Sequence, residues 1–252
     1  MKKERKDLKI LYMQIRKDEL TANEEFAGFK RFMKLDESQF HVWNVFAEPN
    51  FDLEQLEHFD GMVIGGTSDD PKDAVYLDED RYPFLPYALR VIKKCYEDNI
   101  PVCASCMGFL LILQAFETKI EIRPEYNEGG FANEHLTEYG KQDPLFVDTP
   151  ETFTGISFHS KSAAELPEGA QLLLNSDQCP ITGFTFPGKP FYAFQFHPEF
   201  DDEDLIRILA RYADRYKGGA EELEKCKRER RPSTHANDIL THFVDRIILG
   251  EK

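Results

Sequence analysis

Apolar runs alternate with helical patterns along residues 8–116, and this alternation restricts the chain more than any other feature of it. LKILYMQI (8–15), FHVWNVF (40–46), FDGMVIGG (59–66) and IPVCAS (100–105) read as buried strands. Between them, TANEEFAGFKRFMKL (21–35) reads as a helix with Phe26, Phe29 and Met33 on one face. PFLPYALRVIKKCYEDN (83–99) reads as a second helix, with prolines in its opening region and a stripe of Leu85, Leu89, Ile92 and Tyr96. MGFLLILQAF (107–116) is a third, strongly apolar one. Strand–helix alternation of this kind predicts an α/β fold whose mostly parallel sheet is covered by helices on both faces.

From about residue 119 the pattern shortens to strand-like runs: KIEIRP, TFTGISFHS, AQLLLNS, ITGFTF and FYAFQF. NEGGFANEHL (127–136) reads as a loop over a cleft or a bare β-turn. DDEDLIRILARYADRYKGG (201–219) predicts a helix with acidic residues at its start, Arg211, Arg215 and Lys217 toward its end, and a Gly-Gly stop. Those charges complement the helix dipole at both ends. The charged stretch 221–231 suits a solvated helix or linker. ANDILTHFVDRIIL (236–249) carries a stripe of Ile239, Leu240, Phe243, Val244, Ile247 and Ile248, with Ser233 or Thr234 as its cap. Without an internal repeat or low-complexity segment, 1–252 reads as one domain, with a core at about 8–217 and a helical extension at about 218–252.

A net charge of −15 argues against nucleic acid and anionic membrane surfaces as partners, since both need a positive field. The basic cluster of MKKERKDLKILYMQI is followed by an apolar run too short, and interrupted by Lys9, for a signal peptide. No stretch approaches the roughly 18 apolar residues of a membrane helix. Five cysteines make an odd set for a secreted disulfide framework, so the expected compartment is the reducing cytoplasm.

Two of those cysteines, Cys103 and Cys106, form a Cys-x-x-Cys. The other three, Cys95, Cys179 and Cys226, supply no second ligand pair and no His-x(3–5)-His follows, so no metal site is expected. Cys103 lies inside the predicted strand, pointing into its packing, whereas Cys106 falls at the strand-to-helix turn. There the helix N–H groups converge and the dipole favours a thiolate. Gly108 follows, and Ala-x-Cys-x-Gly is one residue from the nucleophile elbow G-x-[SC]-x-G. The spacing by itself leaves a buried structural cysteine equally open.

FYAFQFHPEF (191–200) ends a strand in His197-Pro198-Glu199. Residues two apart in extended chain project to one side, so the Glu199 carboxylate can orient His197 as a general base. Pro198, lacking an N–H, suits the strand's end.

A strand–Cys–helix turn, a later strand ending in HPE and a Gly-Gly loop after an earlier strand together resemble the class I glutamine amidotransferases. The resemblance spans about 8–217 and is strongest in FQFHPEF; VCASCMGFLL corresponds to the nucleophile segment and DGMVIGGTSDD to the oxyanion loop. FHSKSAAELPEGAQLLLNSDQCPITGF is similar to the family's stretch before the catalytic strand. It implies a flavodoxin-like sheet on which Cys106 attacks a γ-carbonyl, His197 moves the protons and Glu199 orients His197. It also implies oxyanion donors at the N–H of Gly66 and Met107, with Gly65, Leu110, Ser157 and Phe158 near the substrate. His159 is expected to be a structural or pocket-lining histidine. No cofactor is implied.

The sequence departs from the family's pattern at two positions: Ala104 stands where glycine is usual, and Leu110 where a substrate-contacting glutamine is usual. No acceptor-activating module accompanies the amidotransferase pattern. The resemblance therefore points to stand-alone relatives, γ-glutamyl hydrolases and peptidases or GMP-synthetase-glutaminase-like proteins, and implies hydrolysis of a small-molecule γ-glutamyl substrate. Alternatives are a glutaminase subunit serving a separate synthetase chain and a non-catalytic binding protein that keeps the fold.

Overall fold

A computed structural model of the chain describes residues 3–67, 78–215 and 219–251. The end of the expected oxyanion loop (68–70), Lys217 and Gly218 lie outside the described residues.

The expected alternation is present. β1 (Ile10–Gln14), α1 (Glu19–Met33), β2 (Phe40–Asn44), β3 (Gly61–Ile64), α2 (Leu85–Asp98), β4 (Val102–Ser105) and α3 (Met107–Ala115) follow one another. After them come β5 (Ile120–Glu121), β6 (Glu128–Leu136), β7 (Thr152–His159), β8 (Ser162–Ala163), β9 (Gln171–Ser176), β10 (Gly183–Thr185) and β11 (Phe191–Phe194). The chain closes with α4 (Asp202–Tyr212), α5 (Gly219–Arg228) and α6 (Thr234–His242), the last running into a π-helical segment, Phe243–Ile248.

Nine strands form one sheet in the order β2-β1-β3-β4-β11-β10-β9-β6-β7, while β5 and β8 pair separately. The pairs from β2 to β11 are parallel and those from β11 to β7 antiparallel. The helix-linked first half therefore builds the parallel part, and the short-strand region builds the antiparallel part. Chain direction across the sheet reverses at β1, with β2 on one side and β3 on the other. Open α/β sheets place their sites beyond the carboxyl ends of strands near such a point.

β4 shows how the two faces are filled. Val102 and Ala104 join the core under α2 and α3, and Cys103 joins the opposite core with Tyr12, Phe29, Phe194 and the C-terminal helix. α3 is buried nearly all round, as its apolar sequence requires. It can lie close against the sheet because position 108 is glycine: a Cβ there would stand 2.8 Å from Ile64 Cβ and 3.0 Å from Ala104 Cβ. Ala104 is therefore accommodated by the missing side chain of Gly108.

Three expectations are corrected. Residues 127–136 are not a loop or a bare turn; they form β6, held between β7 and β9. The predicted helix 201–219 stops at Tyr212 and passes into a 3-10 turn. Gly219 opens α5 instead of ending a helix, because a Cβ there would lie 2.3 Å from the Ala213 carbonyl oxygen. That close approach folds α5 back toward α4. Finally, Ser233 occupies the N-cap position of α6 without a capping bond; its hydroxyl reaches the Phe200 carbonyl and Asn237.

Candidate active site

Four segments converge at the carboxyl edge of the sheet: the β1–α1 loop, the glycines after β3, the β4–α3 turn and the turn after β11. Cys106 is the hinge of the third. Its φ of 50° and ψ of −98° place a non-glycine residue in a region that costs on the order of 1–3 kcal/mol. The conformation persists because both flanks are tied. Cys106 N–H donates to the Phe194 carbonyl at 2.9 Å, and Gly108 N–H donates to the Gly65 carbonyl at 3.2 Å. Strain at a strand-to-helix turn thrusts a side chain out above the sheet, the geometry of a nucleophile elbow.

His197 faces it. Its backbone N–H donates to the Ile156 carbonyl, and its Nδ1 lies 2.6 Å from Glu199 Oε1. The imidazole also hydrogen-bonds the Cys106 side chain. With Nδ1 given to Glu199, Nε2 is the nitrogen left for sulfur. Burial alone would lower the imidazole, but the Glu199 carboxylate and the Cys106 side chain outweigh it and push His197 up to about 10. A histidine protonated at neutral pH therefore stands beside the cysteine.

The Cys-x-x-Cys is not a functional pair. Cys103 is buried with its thiol pushed up by desolvation, and Cys106 is the partly exposed member.

The remaining expected residues divide. Gly66 lies at the centre: a Cβ there would stand 2.8 Å from His197 Cε1 and 3.5 Å from Cys106 Cβ. Its N–H is engaged within the protein. It donates to Glu25 Oε1 at 2.9 Å. Met107 opens α3, so no carbonyl one helical turn earlier competes for its N–H. Gly65 is required by Glu25, whose Oε2 would stand 2.1 Å from a Cβ at that position. Leu110 sits one turn into α3, 4% exposed and part of the apolar core. Ser157 and Phe158, expected beside the substrate, each have protein partners. The Ser157 hydroxyl donates to Glu128, and Phe158 packs on the cluster formed by α4, α5, β6 and β7. His159 bridges Glu128 and the Lys161 carbonyl.

Two residues here escaped the sequence reading: Arg16 and Glu25. Both side chains are buried, and Arg16 Nε donates to Glu25 Oε1 at 2.7 Å. Glu25 also accepts from the Tyr12 hydroxyl. A signal was available, since Glu25 lies four residues before Phe29 and eight before Met33, on the helix's apolar face. A carboxylate on a core-facing stripe calls for buried partners.

Glu25, His197 and Glu199 offer ligand atoms within 4.8 Å of one another. Tyr12, Arg16 and Gly66 already take up the Glu25 oxygens, and the Arg16 cation occupies the same cluster, so the donor set does not suit a metal ion.

Comparison with known proteins identifies the family of the chain. The sequence model described as glutamine amidotransferase class-I matches residues 29–209. A GMP synthase [glutamine-hydrolyzing] from Lactobacillus delbrueckii subsp. bulgaricus is 28% identical over 144 residues, covering 57% of this chain and 27% of that protein. The enzyme of the same name from Campylobacter jejuni is 32% identical over 126 residues, covering 48% of this chain and 24% of that one. The chain thus spans about a quarter of the length of these curated relatives. Among solved structures, a glutamine amidotransferase from Thermotoga maritima superimposes with a TM-score of 0.75 at 18% identity, covering 96% of this chain and 98% of that one. Among the described residues, no helix is long and apolar enough to cross a membrane.

Proposed function

The chain belongs to the class I glutamine amidotransferases, and from that premise we propose that it is a cysteine hydrolase of γ-glutamyl amide bonds with Cys106, His197 and Glu199 as its triad. The observation that carries this reading is the strained Cys106 elbow set against an imidazole whose other nitrogen is 2.6 Å from a buried carboxylate.

The chemistry follows from those positions. Cys106 Sγ adds to the γ-carbonyl carbon, and the carbonyl electrons move onto oxygen. As the tetrahedral adduct collapses, the C–N bond breaks and the His197 proton goes to the departing ammonia or amine, leaving a γ-glutamyl thioester. Neutral His197 then takes a proton from water, which attacks the thioester and frees the cysteine. Throughout, Glu199 holds the ring through Nδ1, so one nitrogen handles every proton. This sequence needs no cofactor.

Incubation with glutamine and a panel of γ-glutamyl amides and peptides tests the reading. Wild-type protein is expected to release ammonia or amine and the Cys106→Ala variant to release none; equal release by both would sink it.

A second reading is a glutaminase subunit that delivers ammonia to a separate synthetase chain. The relatives named GMP synthase favour it, because this chain matches only about a quarter of their length. It predicts weak glutaminase activity alone and stimulation by a copurifying ATP-dependent partner. Full activity in isolation with no such partner counts against it.

A further inference from the structure

We propose that Glu25 is the positioning residue of the loop after β3, where the oxyanion donor is expected: its carboxylate, carried on α1, holds the Gly65–Gly66 peptide in one orientation against the nucleophile elbow. The inference rests on the hydrolase reading above, and Glu25 acts through that backbone.

Three observations carry it. First, a single peptide unit is bonded at both ends. The Gly65 carbonyl accepts from the Gly108 N–H at 3.2 Å, two residues past Cys106, and the Gly66 N–H donates to Glu25 Oε1 at 2.9 Å. No cis peptide occurs among the described residues, and in a planar trans unit the C=O and N–H point opposite ways. The unit is therefore a crossbar between α3 and α1 that cannot turn without losing both bonds. Second, Gly65 has no side chain where the carboxylate lies. A Cβ there would stand 2.1 Å from Glu25 Oε2 and 2.6 Å from its Cδ. Third, the carboxylate is itself immobilised: it is fully buried, and Tyr12 of β1 and Arg16 of the β1–α1 loop also donate to it.

The loop needs such a hold. Glycines at 65 and 66 give its backbone more conformations than any other residue pair and no side chains to fasten it. A hydrogen bond to a carboxylate fixes direction as well as distance, which apolar packing does not. On the same face of α1, three residues on, the absence of a side chain at Gly28 lets the helix meet the Glu199 carbonyl oxygen. One helix thus sets both the loop after β3 and the turn of His197 and Glu199. Fixed donors are what a developing oxyanion requires, because none has to reorganise as charge appears. Displacing such groups by about 1 Å costs on the order of 10²-fold in rate.

The test separates reach from charge. Glu25→Asp keeps the carboxylate but is one methylene short of the Gly66 N–H. Its kcat for a γ-glutamyl amide is expected to fall by about 10–10², with KM within about threefold of wild type. Glu25→Gln keeps an acceptor oxygen at full reach and is expected to retain kcat within about fivefold. Alkylation of Cys106 by iodoacetamide, which forms no oxyanion, should change by less than about threefold in both. Gly65→Ala is expected to lower kcat as Glu25→Asp does, because its methyl displaces the carboxylate. Joined to Glu25→Asp it should add less than about threefold, since residues in contact are not additive. Should Glu25→Asp not fold, Gly65→Ala alone carries the comparison of hydrolysis with alkylation. Thermal melts of each variant control for folding, and Met33→Ala, farther along α1 in the core, should lower the melting temperature at unchanged kcat. Full kcat in Glu25→Asp, a deeper loss in Glu25→Gln than in Glu25→Asp, equal falls in alkylation and hydrolysis, or additive effects of Gly65→Ala and Glu25→Asp would overturn the role of Glu25 and leave the hydrolase reading standing. A wild-type protein that alkylates but hydrolyses no γ-glutamyl amide would overturn both.

Discussion

The Asn237 side-chain amide on α6 donates to the Pro198 carbonyl at 2.8 Å, inside the turn that carries His197 and Glu199. It donates equally to the Phe200 carbonyl. A helix far along the chain therefore fixes the turn of His197 and Glu199, with its apolar stripe packed on Phe29, Phe194 and Phe196 as the fastening. Asn237→Ala leaves two buried carbonyls short of a donor, at about 1–3 kcal/mol. The expected result is a lower melting temperature together with a fall in kcat larger than the change in KM. A variant with lowered stability but unchanged kcat would show that the turn holds its shape without α6.

The α1 side of the same turn makes an equally narrow contact. A Cβ on Gly28 would lie 2.0 Å from the Glu199 carbonyl oxygen, so backbone must meet backbone there. Gly28→Ala is expected to push α1 and the turn apart, destabilising by about 1–3 kcal/mol as overpacking does. Urea denaturation gives the stability change and a glutaminase assay the accompanying loss of activity.

What could be read in advance follows from the range of each interaction. The parallel half of the sheet and its helices rest on local periodicity, and they stand where residues 8–116 predicted; Cys106, His197 and Glu199 are singled out together by the family resemblance, since the spacing of each alone is commonplace. β6 was misread because Gly129, Gly130 and Asn133 are turn residues locally; only pairing with β7 and β9 makes them strand. The orientation of the Gly66 peptide was likewise hidden, since it depends on Glu25, 41 residues away in sequence. The partner of the Ser157 hydroxyl, Glu128 across the β6–β7 pair, was hidden in the same way. Each miss is a long-range polar contact, which no hydrophobic period reports.

His197 gives a pH signature. Its folded value, about 10, lies above the roughly 6.5 of a free histidine. The folded state therefore binds this proton more tightly. The stabilisation is fully present below about pH 6.5 and is lost as pH rises toward 10. Melting temperature should decline over that window in the wild type, and His197→Gln should flatten that part of the curve. Parallel curves for the two proteins would deny the imidazole its proton.

Glu134 works through the opposite kind of group. Burial, the largest influence, raises its carboxyl well above the usual range, and the Thr182 hydroxyl donates to only one of its oxygens. The folded state holds this proton more tightly than the unfolded chain does, so stability falls as pH climbs above the ordinary carboxylate value near 4.5. Glu134→Gln imitates the protonated form and is expected to raise the melting temperature at pH 7–8, with the gain shrinking toward pH 4. A gain that did not depend on pH would assign the effect to packing.

Leu110 is expected to influence which substrate the proposed site accepts. It is one helical turn from Cys106, its own N–H bonded to the Cys106 carbonyl at 3.2 Å, and its side chain belongs to the core. An apolar residue there has no group to bond the polar end of glutamine, so turnover is expected to favour γ-glutamyl substrates bearing an apolar leaving group over glutamine itself. Leu110→Gln reverses the polarity at the cost of burying an amide, about 1–3 kcal/mol on the scale of protein substitutions. The ratio of kcat/KM for glutamine to that for a γ-glutamyl anilide should rise in this variant even as the melting temperature drops. If the ratio stays fixed while stability falls, Leu110 is a core residue alone and selectivity resides in other contacts.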